Sequence, residues 1–186
     1  MPLHTFFQVS MSGSLVAGVY SGAVTRATIL DHGDFGLGTF AGLDGEMVVL
    51  EGRVYRVRAT GKVSEAALAG QAPFAIVTTF APSVDEQIDA MDSFDAIKRR
   101  LDGYRRSDNL FYPIRIDGAF KHVRTRAVSP PKNHGRLLDA AKAQKEFDFK
   151  HAEGTLVGIY SPSFSGAFSV LGYHFHFIST NRLEGN

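Results

Sequence analysis

Short apolar runs separated by turn pairs dominate the first third of the chain. Runs of this length, bounded by glycine, are typical of β-strands. The pairs Asp44-Gly45 and Glu51-Gly52 separate consecutive runs and favour the tight turns of β-hairpins. The pattern predicts antiparallel strands over Gly36–Leu43, Glu46–Leu50 and Arg53–Arg58, and a further strand over Phe74–Phe80 that Pro82 ends.

A different period begins at Ser93, whose hydroxyl suits the N-cap of a helix. Apolar residues then recur at helical spacing, at Phe94, Ile97 and Leu101. The pattern predicts a surface helix over Ser93–Arg105 and a second one around Arg136–Lys145.

A hairpin is predicted between these two helices, with strands over Leu110–Ile116 and Ala119–Val128 around the pair Asp117-Gly118. Residues two apart on a strand share a face. The second strand therefore presents a row of cationic or potentially cationic side chains beside one aromatic ring: Phe120, His122, Arg124 and Arg126.

The long uncharged span from Gly154 to Thr180 could be mistaken for a membrane helix, but Pro162, glycines and serines interrupt it. Two strands and a loop explain this span better. We therefore predict an α+β fold of mixed, largely antiparallel β-sheets with a few peripheral helices, in which residues 1–186 form a single unit.

Composition limits the partners and metal ligands that are available to this chain. Twenty basic and nineteen acidic residues leave a net charge of +1, so no broad field attracts nucleic acid or an anionic membrane. The chain has no cysteine, which excludes disulfides and thiolate ligands and leaves histidine and carboxylate to bind a metal. The first residues lack a secretory signal, and we expect a cytoplasmic protein without a membrane segment.

The segment Gly172-Tyr173-His174-Phe175-His176-Phe177 holds the strongest chemical signal. On a strand, both imidazoles lie on one face and the three aromatic rings on the other. Residues i and i+2 are about 6.6 Å apart, so two rings that lean together can reach one zinc ion at about 2.0–2.1 Å each. The alternative is the solvated face of a half-buried strand.

Several blocks together resemble the alpha-acetolactate decarboxylase family. They occur in the family's order and at similar spacing, and the resemblance covers nearly all 186 residues. The blocks are Gly18-Val19-Tyr20-Ser21-Gly22, His32-Gly33-Asp34-Phe35-Gly36-Leu37-Gly38-Thr39-Phe40, Leu43-Asp44-Gly45-Glu46, Ser107-Asp108-Asn109-Leu110-Phe111, Arg115-Ile116-Asp117-Gly118 and the His-X-His segment.

The resemblance implies roles for individual residues. It makes His174 and His176 ligands of a catalytic zinc ion, and it brings Glu46 and Thr39 to the site. The family's substrate-binding arginine falls on Arg126 here, with Arg124 as the alternative if the register slips by two. It further implies the conversion of 2-acetolactate to acetoin and CO₂ in the acetoin and butanediol branch of pyruvate metabolism, and it is compatible with a homodimer.

Members of this family carry a third zinc-binding histidine soon after the His-X-His pair and a further active-site glutamate on a later segment. The sequence reaches Asn186 before either one. We therefore expect a chain that lacks the family's C-terminal segment. Four residues are conceivable substitutes for the third ligand, and the sequence does not choose among them: His122, His134, His151 and Glu46.

Two other classes of function stay open at this stage. The first is a catalytically silent binding module that keeps the fold without the complete ligand set. The second is a nucleic-acid binder that uses the basic cluster Lys98-Arg99-Arg100 with Arg105-Arg106. Acidic residues interleave with this cluster, which favours the solvated face of an amphipathic helix, so we expect a small-molecule substrate and no nucleic acid.

Overall fold

A computed structural model describes residues 5–127 and 145–185. Eleven strands are present in these ranges, in three sheets. In chain order they are β1 (Phe7–Val9), β2 (Val24–Thr25), β3 (Phe35–Thr39), β4 (Glu46–Leu50), β5 (Arg53–Val57), β6 (Val63–Glu65), β7 (Gln71–Ala72), β8 (Phe74–Thr78), β9 (Tyr112–Ala127), β10 (Lys145–Ser161) and β11 (Gly172–Ser179).

The larger sheet has six strands in the order β1-β8-β3-β4-β5-β6, and every neighbouring pair is antiparallel. The turn at Glu51-Gly52 connects β4 to β5, as the apolar runs predict. Strand β3 ends at Thr39 and not at the predicted Leu43, because Ala41–Leu43 form a 3₁₀ turn in the loop that leads through Asp44-Gly45 to β4. Strands β2 and β7 form a separate two-stranded ladder. The predicted fold class, α+β with largely antiparallel sheets, is confirmed.

The second sheet has three strands in the order β11-β10-β9. Its two ladders are antiparallel and long, since β9 pairs with β10 from Tyr112 to Ala127. Strand β11 and the part of β10 from Gly154 onward come from the uncharged span that the sequence assigns to two strands and a loop. The loop contains a 3₁₀ turn over Ser163–Ala167.

The predicted hairpin at Asp117-Gly118 is wrong. Strand β9 runs straight through this pair, and the residues paired with it, Thr155 and Gly154, belong to β10. The Asp117 carboxylate accepts hydrogen bonds from Thr155 (2.6 Å) and Arg115 (2.7 Å), so a residue that favours turns is held in an extended strand. Cross-strand partners outweigh the local turn preference here.

The two larger sheets pack face to face. Residues Val48 and Val57 of the six-stranded sheet contact Val157 and Ile178 of the three-stranded sheet, and all four are fully buried. Nearby, Ile159 of β10 packs against a second apolar group of the larger sheet, formed by Leu37, Phe74 and Ile76. This layer between the sheets is the part of the core that borders the histidine pair.

Within the described residues, three α-helices lie at the edges: α1 (Ser12–Val16), α2 (Arg26–Leu30) and α3 (Phe94–Asp102). Helix α3 is the one predicted from Ser93, whose hydroxyl accepts a hydrogen bond from the Ala96 amide at 3.1 Å. The second predicted helix, around Arg136–Lys145, lies outside the described residues except for Lys145, which begins β10.

The basic cluster of the α3 region is locally balanced by acidic side chains. Lys98 pairs with Asp95, Arg100 with Glu86, and Arg105 with both Asp102 and Asp108. The guanidinium of Arg105 also lies 3.9 Å from the ring centre of Tyr160. These contacts attach the end of the helix to β10. In the described part of the chain, no helix is long and apolar enough to span a bilayer.

Candidate metal centre

Two imidazoles converge on one face of β11. His174 and His176 project toward the six-stranded sheet together with Ile178, which lies in the buried layer. Phe177 points to the opposite side and packs against β9 and β10. The Nε2 atoms of His174 and His176 are 3.2 Å apart, so the two rings lean together as the strand period predicts.

A backbone carbonyl fixes the proton position on His176. Its Nδ1 lies 3.0 Å from the carbonyl oxygen of Met47 on β4. A carbonyl oxygen only accepts, so Nδ1 carries the proton and donates it. In the neutral ring, Nε2 then presents its lone pair toward His174. This is the tautomer of a metal ligand held by an outer hydrogen-bond partner.

Both rings are kept neutral by their surroundings. Burial lowers the pKa of His174 to about 4. Burial, together with the nearby His174, lowers the pKa of His176 to about 3. His176 is 4% exposed, and His174 is more accessible. Metal binding requires neutral imidazole, so at pH 7 neither ring has to release a proton first.

Strands β3 and β4 contribute two polar side chains. Thr39 and Glu46 are paired across these strands and therefore share one face. Glu46 Oε2 lies 3.9 Å from His176 Nε2, and its side chain is largely buried. Because His176 is neutral, this approach is not an ion pair. The sequence-predicted residues Glu46, His174 and His176 are thus brought together.

A turn that requires glycine sets the position of Glu46. Gly45 has a φ of +106°, in a region that favours glycine, and a β-carbon there would lie 2.6 Å from the carbonyl oxygen of Val57. The buried hydroxyl of Thr39 donates to the Gly45 carbonyl at 2.9 Å. Thr39 therefore holds the turn from which Glu46 enters β4.

The spacing of the two imidazoles fits zinc. Two nitrogen ligands of one tetrahedral zinc ion lie about 3.3 Å apart, because each Zn–N bond is about 2.0–2.1 Å. The observed 3.2 Å between the Nε2 atoms of His174 and His176 is close to that value. Across residues 5–127 and 145–185, however, no group of three His, Cys, Asp or Glu side chains is in metal-binding geometry.

The described contacts do not bring Arg126 to the histidine pair. Its side chain is 62% exposed and lies 3.7 Å from Glu146, its partner on β10. On β10, the partner of Arg126 is Glu146 and the partner of His176 is Val157, and these two partners are eleven residues apart. Arg124 is also exposed, and it pairs with Asp148 at 3.0 Å.

The conceivable substitute ligands are placed differently. His122 is exposed on β9 and contacts Asp148 at 2.6 Å. His151 is exposed on β10, where its φ is +53°. His134 lies outside the described residues. Of the four, the structure places Glu46 beside the histidine pair.

Sequence reasoning missed two features of the site. The first is the Met47 carbonyl that orients His176, which leaves no sequence signal because every residue has a carbonyl. The second is Arg115. Val157 of β10 is paired with His176 on one side and with Arg115 on the other. At the usual strand spacing, the backbones at Arg115 and His176 are therefore about 10 Å apart. Arg115 is engaged by Glu51 at 3.0 Å and Asp117 at 2.7 Å.

Comparisons with known proteins place this site in context. The family model described as alpha-acetolactate decarboxylase matches residues 6–186. The alpha-acetolactate decarboxylase of Klebsiella aerogenes is 41% identical over 187 residues, which cover 99% of this chain and 71% of that protein. The Bacillus subtilis enzyme of the same name is 38% identical over 185 residues, with 99% and 72% covered.

Solved structures agree with the sequence matches. The crystal structure of alpha-acetolactate decarboxylase from Bacillus subtilis strain 168 superposes with a TM-score of 0.93 at 38% identity, covering 97% of this chain and 78% of that one. A Staphylococcus aureus protein of unknown function, described as similar to alpha-acetolactate decarboxylase, superposes with a TM-score of 0.90 at 29% identity, with the same coverage.

Proposed function

Since this chain belongs to the alpha-acetolactate decarboxylase family, we propose that it is a carboxy-lyase that converts 2-acetolactate to acetoin and CO₂ with a histidine-bound zinc ion. The observation that carries the proposal is the pair of neutral imidazoles, His174 and His176, whose Nε2 atoms face each other at 3.2 Å beside the Glu46 carboxylate. The family match supports the reaction, and this geometry supports the metal.

His174 and His176 would hold the zinc ion. Bound there, zinc would supply a Lewis acid for the hydroxyl and ketone oxygens of the substrate. The Met47 carbonyl keeps the lone pair of His176 Nε2 directed at the site, so the ring does not have to reorient when a ligand arrives. This preorganisation is the contribution of β4 to the metal centre.

The reaction breaks the bond between C2 and the carboxylate. CO₂ leaves, the electron pair passes to the ketone oxygen, and C2 then takes up a proton to give acetoin. Glu46, in its protonated form, would be the donor, since its carboxyl group lies beside the metal ligands in a largely buried position. As C2 takes up this proton, the electron pair returns from the enolate oxygen and the ketone re-forms, so one proton is consumed in all.

Arg126 is proposed as the group that binds the substrate carboxylate on the family resemblance alone, because it occupies the matching position there, whereas the described contacts do not bring it to the histidine pair. Its guanidinium is permanently charged and planar, which suits a carboxylate. Its contact with Glu146 is long and exposed, at 3.7 Å, and such a surface pair contributes at most about 1 kcal/mol. A substrate carboxylate would therefore meet little competition from Glu146.

The last described residues pair with the strand that carries the two histidines. Gly185 forms an antiparallel bridge with Ile178, and the Ser179 amide donates to the Glu184 carbonyl.

Two measurements on the full chain test the proposal. Purified protein dialysed against zinc should hold about one zinc ion per chain, and His176→Ala should lower the zinc content. With zinc bound, the protein should release CO₂ from 2-acetolactate and form acetoin. A folded His176→Ala variant with unchanged zinc content would rule out the histidine pair as ligands, and a zinc-loaded protein that forms no acetoin would contradict the reaction.

A homodimer and a cytoplasmic location are further proposals that rest on the family resemblance. Light scattering after size-exclusion chromatography tests the first, where a mass of about twice 20.3 kDa is expected. Fractionation of the source cells tests the second.

A further inference from the structure

A small cavity adjoins His174 in the layer between the sheets. Leu37 and Ile76, which are paired across β3 and β8, line one side of it. Ile159, the partner of His174 on β10, lines the other side. Val170, in the loop after β10, also lines the cavity. The cavity thus adjoins the proposed metal centre through His174.

The cavity is small enough to distinguish a methyl group from an ethyl group. Its volume is about 10 Å³, close to the smallest space that holds a single water molecule. A methyl group is of similar size, and an ethyl group requires more room. Leu37, Ile76 and Ile159 are each at most 3% exposed, so these walls are packed into the core and have little freedom to retreat. Val170 is 40% exposed and is the most adjustable wall.

The lining is mainly apolar. The hydroxyls of Ser161 and Ser169 border the cavity and hydrogen-bond to each other at 3.2 Å, and both residues are buried. Five of the eight described lining residues present hydrocarbon side chains: Leu37, Phe74, Ile76, Ile159 and Val170.

We infer that this cavity receives the methyl group on C2 of the substrate and that it sets the specificity for that group; this inference rests on the proposed function. C2 of 2-acetolactate bears a carboxylate, a hydroxyl, an acetyl group and a methyl group. The carboxylate and the hydroxyl have no hydrocarbon, and the acetyl group carries its methyl next to a ketone oxygen, so the C2 methyl, which is hydrocarbon throughout, is the substituent best suited to a hydrocarbon wall beside His174. Val170 is then a specificity-determining residue.

The consequence is discrimination by a single methylene. Pockets of this kind distinguish ligands that differ by one methylene by about 10-fold to 200-fold. The homologue with an ethyl group on C2 should therefore bind and react at least about 10-fold less well than 2-acetolactate. Val170→Ala removes two methyl groups from the wall, and it should reduce this preference severalfold.

Binding and turnover should be measured separately on the zinc-supplemented full chain. For binding, the probes are 2-hydroxy-2-methylbutanoate and 2-ethyl-2-hydroxybutanoate, which lack the ketone and therefore cannot react by this route. Calorimetry gives their Kd ratio, and CO₂ release gives the kcat/KM ratio for 2-acetolactate and its C2-ethyl homologue. Val84→Ala is the matched control, because Val84 is similarly exposed (46%) and does not line the cavity.

The outcomes separate the two proposals. A Kd ratio that falls severalfold in Val170→Ala but not in Val84→Ala supports the cavity assignment. If the same protein releases no CO₂, that result contradicts the proposed function and leaves the cavity assignment supported. An unchanged ratio in Val170→Ala overturns the assignment, even if CO₂ release is normal. Ile76→Val, which removes one methylene from the opposite wall, should change the ratio in the same direction.

Discussion

Acidification should destabilise the zinc-free protein through its two buried imidazoles. In the folded chain, burial lowers the pKa of His174 to about 4 and that of His176 to about 3. An unfolded chain restores both to about 6.5. The unfolded state therefore takes up protons first as the pH falls. The stability that comes from neutral histidine is complete above pH 6.5 and is lost as the pH falls toward 4 and 3.

The magnitude follows from the pKa difference. Each pH unit between the unfolded and the folded pKa is worth about 1.4 kcal/mol per group. From pH 6.5 to pH 5.0, His174 and His176 should each reduce the free energy of unfolding by roughly 2 kcal/mol, or up to about 4 kcal/mol together. This is a large share of the total stability of an ordinary domain, about 5–15 kcal/mol.

Urea unfolding of chelator-treated protein at pH 7.5 and pH 5.0 measures this loss. His176→Gln keeps a polar side chain that does not titrate, so this variant should lose roughly 2 kcal/mol less than the wild type over the same pH interval. His151→Asn is the control, because residue 151 is exposed and asparagine tolerates its positive φ. If the wild type and His176→Gln lose the same free energy, the histidine ring is not held neutral by burial, and the reasoning fails.

Three further outcomes are expected. Arg126→Ala should raise KM for 2-acetolactate at least about 10-fold, because it removes one charge-assisted contact worth about 1.5–3 kcal/mol. Metal analysis should show an unchanged zinc content. An unaltered KM would exclude Arg126 from substrate binding. Gly45→Ala should destabilise the fold by about 1–3 kcal/mol in urea unfolding, because alanine is strained at a φ of +106° and its β-carbon would meet the Val57 carbonyl. Thr39→Val should cost about 1 kcal/mol by the same assay, for the lost hydrogen bond to Gly45, and a neutral result would show that this hydrogen bond does not hold the turn.

The sequence alone determined those features that depend on neighbours along the chain. Strand β4 was predicted at its observed bounds, and both flanking turns were found, because glycine-containing pairs and apolar runs act within a few residues. The same holds for the Ser93 cap and for the shared face of His174 and His176, which follows from the period of a strand.

The tertiary structure decided everything that depends on strands distant in sequence. Asp117-Gly118 was predicted as a turn on local grounds, but its partners in β10 hold it extended, and no local pattern contains that information. The approach of Glu46 to His176, and the proton position set by the Met47 carbonyl, depend on how two sheets pack together. The pKa values of the two imidazoles and the size of the cavity also depend on this packing, because burial exists only in the assembled fold. Residue type and hydrophobic period, in contrast, can be read from the sequence.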